Sequence, residues 1–156
     1  MRLLFKQRLF SWFDSYDVYN EAGETVYTVQ GKLAWGHKLV VSDASGRELA
    51  TVREKIFHFL PQFEVWLGNQ LVGTVKRKFT FFRPRYQIDF RGWEVEGNML
   101  EWDYTVCDAQ RRTVATVSKE PFHWADTYVL DIVDPRDALC VLTFVLAIDA
   151  EKCSRS

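Results

Sequence analysis

The sequence predicts a mainly β protein, a closed antiparallel β-barrel of about twelve strands around a central hydrophobic C-terminal α-helix. Three observations carry this expectation. The run from Ala138 to Ile148 is apolar on every side. The chain before it alternates polar and apolar residues with period two, interrupted by glycine-bearing turns. Aromatic residues are abundant, with 12 Phe, 6 Trp and 6 Tyr, which suits strands facing a large core.

The helix is expected over about residues 135–150. Asp134 is placed to cap it, because a carboxylate there accepts a bond from an otherwise unpaired backbone N–H. Pro135 falls at the first helical position, where a missing N–H costs nothing. Asp137 puts negative charge in the first turn, in keeping with the helix dipole. Beyond it, Leu139, Val141, Leu142, Phe144, Val145, Leu146 and Ile148 point in all directions around the axis. A helix with no polar face must be buried on all faces. A bilayer would need about 20 apolar residues, and this run is closed early by Asp137 and Asp149. The helix therefore calls for a sheath of protein, which the remaining strands would form.

Those strands lie within about residues 3–133 and repeat weakly at hairpin length. Similar segments start at Val18, Val41, Val65 and Val106 and end at Lys32, Lys55, Lys78 and Glu120. Each reads as a strand, a polar turn, and a second strand ending in valine and a charged tail. Ala22-Gly23, Ser45-Gly46 and Gly68-Asn69 supply the positive φ that tight hairpin turns need. Between the copies, Phe63, Val65 and Leu67, then Tyr86, Ile88 and Phe90, then Trp102, Tyr104 and Val106, then Tyr128, Leu130 and Ile132 mark inward faces of an antiparallel meander. The amino-terminal Arg2–Phe10 stretch reads as a first strand, with Leu4 or Phe5 and then Leu9 and Phe10 turned to the core. With no linker or break in composition, residues 1–156 are expected to form one domain.

Composition excludes several function classes. A net charge of −1 gives no overall attraction to nucleic acid, so no nucleic-acid partner is expected. Cys107, Cys140 and Cys153 are odd in number, irregularly spaced and lack a CxxC, so no disulfide framework or zinc site is indicated. The opening residues are too short a hydrophobic stretch for a signal peptide, and a cytoplasmic location is expected. His37, His58 and His123 stand apart from one another and read as structural. No G-x-S-x-G, P-loop or G-x-G-x-x-G occurs. The expectation is a protein that is not an enzyme and uses no cofactor.

Several stretches resemble bacterial LURP-one-related proteins. They are Met1-Arg2 with Lys6–Ser11, Gly31-Lys32, Ala50–Lys55, Ala115–Lys119 and Asp126–Asp131, with Thr74–Tyr86 the most specific. The resemblance spans nearly the whole chain and rests on the order and spacing of these pieces. It implies membership of a superfamily shared with the tubby C-terminal domain and the phospholipid scramblases. The implied fold is a twelve-stranded barrel around a central C-terminal helix, which agrees with the residue patterns. The functional implication is thinner. Tubby domains bind phosphoinositide head groups through basic residues, scramblases are membrane-associated and calcium-responsive, and most LURP-one-related proteins have no established activity.

The strongest local signal is basic. Lys76, Arg77, Lys78, Arg83, Arg85 and Arg91 lie within sixteen positions, opposed only by Asp89. Arginine offers planar bidentate contacts to phosphate and lysine a point charge. If the two halves are adjacent strands, these charges meet, and they would bind an anionic lipid head group or another phosphate-bearing ligand, peripherally at a membrane surface. The alternatives are a solvated strand face on a structural or protein-interaction module, and scramblase-like lipid transport, for which the helix is too short. A second cluster, Asp126, Asp131, Asp134 and Asp137, lacks the ligand spacing of an EF-hand, and two of its members have capping roles, so no metal site is assigned.

Overall fold

A computed structural model of the chain describes residues 1–6, 15–34, 36–56, 60, 62–78, 85–122 and 125–153. Its strands are β1 (Arg2–Lys6), β2 (Ser15–Tyr19), β3 (Thr25–Ala34), β4 (Gly36–Asp43), β5 (Glu48–Lys55), β6 (Gln62–Leu67), β7 (Gln70–Lys78), β8 (Arg85–Phe90), β9 (Glu94–Asn98), β10 (Asp103–Cys107), β11 (Thr113–Phe122) and β12 (Ala125–Ile132). One helix, α1 (Ala138–Cys153), follows. All twelve strands join a single antiparallel sheet in the order β8-β7-β6-β5-β4-β3-β2-β1-β12-β11-β10-β9. Every consecutive pair is a hairpin neighbour except β8 and β9. The first and last strands meet through β1 and β12, where Leu3 lies opposite Leu130. The sheet thus curls into a nearly closed barrel, and its two ends, β8 and β9, flank a seam.

The inward rows follow the predicted alternation. Phe63, Val65 and Val75 are fully buried, as are Val29, Val41, Val52 and Leu130. They pack on α1, whose residues Val141 to Ile148 are all wholly buried. A helix covered on every side satisfies its lack of a polar face, and the barrel is what covers it. Thr143 is the polar residue in the middle of this run. Its hydroxyl donates to the carbonyls of Leu139 at 2.9 Å and Cys140 at 3.0 Å, so no buried donor is left over. The aromatic rings of Phe90, Trp93 and Phe144 meet at centroid distances of 5.1 to 5.8 Å and fix the helix against the end of β8.

The helix differs from expectation at both ends. Asp134 does cap the start, accepting from the Arg136 N–H at 3.0 Å. The turn that it caps is a short 3-10 segment, Pro135–Asp137, which leads into α1. The far end runs to Cys153 because Lys152 has partners in the barrel. Its ammonium donates to the Met99 carbonyl at 3.0 Å and lies 4.5 Å from the centre of the Trp102 ring. Trp102 itself sits at φ 56°, ahead of β10, and so precedes the strand it was expected to join.

Three of the four predicted repeat turns share one design. Asn20, Asp43 and Asp108 each open a five-residue loop. In each loop the fourth residue donates its backbone N–H to the first, and the first donates to the fifth. The fourth residue has positive φ, and it is Gly23, Gly46 and Arg111 in turn. The Asp43 and Asp108 carboxylates also accept from N–H groups inside the loop, at 2.9 to 3.0 Å. Each turn thereby satisfies its own backbone, which pins the register of the hairpin it closes.

Candidate functional site

The basic segment folds as expected in its main feature: β7 and β8 are adjacent antiparallel strands. Val75 lies opposite Ile88, Lys76 opposite Gln87, Arg77 opposite Tyr86, and Lys78 opposite Arg85. Gly73 makes this pairing possible. A Cβ at that position would lie 2.5 Å from the Phe90 ring and 2.7 Å from the Asp89 carbonyl. Glycine lets β8 approach close enough for Phe90 to reach the helix.

The register separates the six residues. Lys76 and Arg77 are half-buried on opposite faces of β7, with Arg77 sharing the inward parity of Val75. Among the described residues, neither makes an ion pair. At Lys78 and Arg85 the structure describes the backbone, which sets the two opposite each other at the end of the ladder. Arg83 lies outside the described residues. Arg91 stands at the other end of β8, about 20 Å along the strand from Arg85. Its guanidinium faces Asp137 at 3.5 Å, the Cys140 thiol at 3.3 Å and the Trp93 ring at 5.4 Å. Arg91 therefore clasps the start of the helix and does not join the other basic residues. Burial pushes the Cys140 thiol above its ordinary value, with Arg91 pulling the other way.

The basic surface continues beyond the predicted cluster. On the outer face, Lys32 of β3 lies opposite Lys38 of β4, and Lys38 lies opposite Arg53 of β5. In the next row out, Lys55 pairs with Gln62 and Gln62 with Lys76. These positions are all near the ends of their strands farthest from the Asp43 and Gly68 turns. The rim carrying Lys78 and Arg85 is therefore a broad basic lip. It is offset by Glu64, which lies opposite Arg53 in the ladder and 3.9 Å from Lys55, while the Lys32 ammonium reaches Glu48, at the turn end of β5, at 3.4 Å. Lys32, Lys38 and Arg53 were missing from the sequence-based set. The signal for Lys32 and Arg53 was the charged tail that ends each repeat, since an up-and-down sheet brings successive tails to one rim; Lys38 lies between two copies and had no such signal.

The remaining candidates resolve into local pairs. His37 Nδ1 lies 2.7 Å from Glu54, while His58 and His123 lie outside the described residues. Asp131 forms a two-pronged pair with Arg2, at 2.7 and 3.2 Å. Asp134 pairs with Arg136 at 2.7 Å, and Asp137 with Arg91. Each of these carboxylates thus has its own guanidinium. The side chain of Asp126 is outside the described set. Phe5 turns to the core together with Leu3, while Leu4 faces outward, and Leu9 and Phe10 fall outside the described residues. No described helix is long and apolar enough to cross a membrane.

Comparison with known proteins gives consistent results. The family model described as LURP-one-related matches residues 1–149. A Bacillus subtilis (strain 168) protein named "Uncharacterized protein YxjI" is 28% identical over 150 residues, covering 96% of this chain and 92% of that one. An X-ray structure of a protein from Arabidopsis thaliana superposes with a TM-score of 0.61 at 19% identity, over 95% of this chain and 90% of that one. The last likeness is one of fold. None of these names states an activity.

Proposed function

The chain belongs to the LURP-one-related family, and from that premise and the charge on its rim we propose that it is a non-enzymatic binding protein for anionic phosphate-bearing ligands. The binding surface is the basic lip at the end of β7 and β8, with Lys76, Lys78 and Arg85 along it, Arg77 on its inner side and Lys32, Lys38 and Arg53 beside it; Arg83, in the stretch of sequence between the two strands, is assigned to the same site. Phospholipid head groups presented at the cytoplasmic face of a membrane are the favoured source of that chemistry.

One observation supports this reading above the rest: like charges lie directly opposite one another in the ladder. Lys78 is registered opposite Arg85, and Lys38 lies between Lys32 and Arg53. Such cross-strand pairs each cost a few tenths of a kcal/mol or more in the unliganded fold. An anion lying across the rim would reverse the sign of that term. Arginine and lysine together give both bidentate and point-charge recognition of phosphate.

The test is co-sedimentation with vesicles of phosphatidylcholine alone and with added phosphatidylserine or phosphoinositide. Wild type is compared with a variant carrying Lys76→Glu, Arg83→Glu and Arg85→Glu. The expected result is sedimentation with the anionic vesicles only, weakened at least tenfold in the variant and weakened steeply by salt. Displacement by soluble inositol phosphate would show that the head group suffices, whereas resistance to it would place the membrane surface in the recognition. Equal binding by the two proteins, or none by either, would defeat the proposal.

A further inference from the structure

The sheet ends in β8 and β9, each paired on one side alone among the described residues, and the β9 edge is the acidic one. β9 pairs with β10 on one side, where Gly97 lies opposite Tyr104 and Val95 opposite Val106. Among the described residues no strand pairs with its other side. Yet β8 and β9 are joined by a tight turn, with Arg91 at φ 52°, Gly92 at φ 70° and the Trp93 N–H donating to the Phe90 carbonyl at 2.8 Å. That turn would ordinarily open a two-stranded ladder. Here the strands diverge immediately, leaving the seam.

The free edge is well exposed. Glu94, Glu96, Gly97 and Asn98 are all exposed, and Val95 is half-buried at the lip of the core. An exposed edge presents a row of unpaired N–H and C=O groups, which is a template for a further strand. The side chains define what kind of strand. Tyr104 and Val106 are inward and buried, so by register Val95 faces inward and Glu94 and Glu96 face outward. Glu101 and Asp103 continue the negative surface beside them. Among the described residues, none of these four carboxylates is in an ion pair. Across the seam, Ile88 of β8 is likewise half-buried on the inward face.

We propose that the free edge of β9 receives an extended basic peptide as a thirteenth strand. The peptide alternates basic and apolar residues, its basic face set against Glu94 and Glu96 and its apolar face covering Val95. Main-chain hydrogen bonds supply affinity and the alternate side chains supply selectivity, as in other strand-addition complexes. The peptide runs antiparallel to β9. It cannot be antiparallel to β8 as well, because the two edge strands run in opposite directions. A second copy of the chain is disfavoured as the occupant, because two β9 edges would bring four glutamates together.

The probe is a nine-residue peptide alternating lysine and valine. Three controls accompany it: the same peptide with glutamate for lysine, the lysine peptide with a central proline, and a Glu94→Lys, Glu96→Lys protein whose thermal melting matches wild type. Binding is followed by amide chemical shifts. The expected result is that the lysine peptide shifts the Glu94–Asn98 amides and slows their exchange. Both the proline peptide and the charge-reversed protein should bind at least tenfold more weakly, and the glutamate peptide not at all. Equal binding of the proline peptide would reduce the contact to charge alone and overturn strand addition. Shifts confined to β7 and β8, or to no strand, would overturn the site. Self-association that blocks the Glu94–Asn98 amides, seen by sedimentation, would overturn the peptide in favour of a second copy.

Discussion

At the scale of single residues, the molecule depends on a few side chains that have no room to change. Gly73 is the clearest. Its backbone passes beneath Phe90, and a methyl group there would collide with both the ring and the neighbouring Asp89 carbonyl. Backbone cannot yield as a flexible side chain can. Gly73→Ala is therefore expected to destabilise the fold by about 1–3 kcal/mol, the range for an overpacked site. Denaturant unfolding checks this, and wild-type stability would show that β8 is held elsewhere. Arg91 teaches the opposite lesson. Its place in the sequence put it with the basic cluster, but one strand of β8 separates it from the rest, and Asp137, Cys140 and Trp93 surround it.

At the scale of elements, the repeated turns carry a pH dependence whose sign is fixed. The Asp43 carboxyl is held below its ordinary value, first by the Ser45 hydroxyl and then by the Arg47 N–H. That of Asp108 is lowered chiefly by the Arg112 N–H. A carboxyl whose folded value lies below its unfolded one stabilises the fold above the ordinary carboxylate range. The contribution is lost as pH falls through the folded value. The double variant Asp43→Asn, Asp108→Asn should thus melt below wild type at pH 7. The gap should narrow below about pH 4, where the unfolded carboxyls begin to protonate, and close once the pH has fallen below the lowered folded values. A gap that stays constant with pH would mean the turns are held by shape alone.

At the scale of the whole molecule, the architecture was legible because two patterns agreed. An all-apolar helix needs cover, and strands with period-two alternation provide it. The turns were legible where glycine marked them, at Gly23, Gly46 and Gly68. The turn at Arg111 was legible only through the repeat, because an arginine at positive φ leaves no compositional trace. The candidate site was legible only in part. Lys76 to Arg85 are close in sequence, so their pairing could be anticipated. Lys32, Lys38 and Arg53 come from three separate strands, and only the sheet order makes them neighbours. The seam was hidden for a related reason: Arg91-Gly92 has the composition of a hairpin turn, and nothing local says that the strands beyond it part.

The barrel-enclosed helix underlies every other assignment, and native-state hydrogen exchange tests it most directly. With Val141 to Ile148 covered on all sides, these amides should exchange only when the whole barrel opens. Their exchange free energies should then equal that of global unfolding and fall in step with it in denaturant. Exchange of this helix well below the global value, with the strands still protected, would contradict the account.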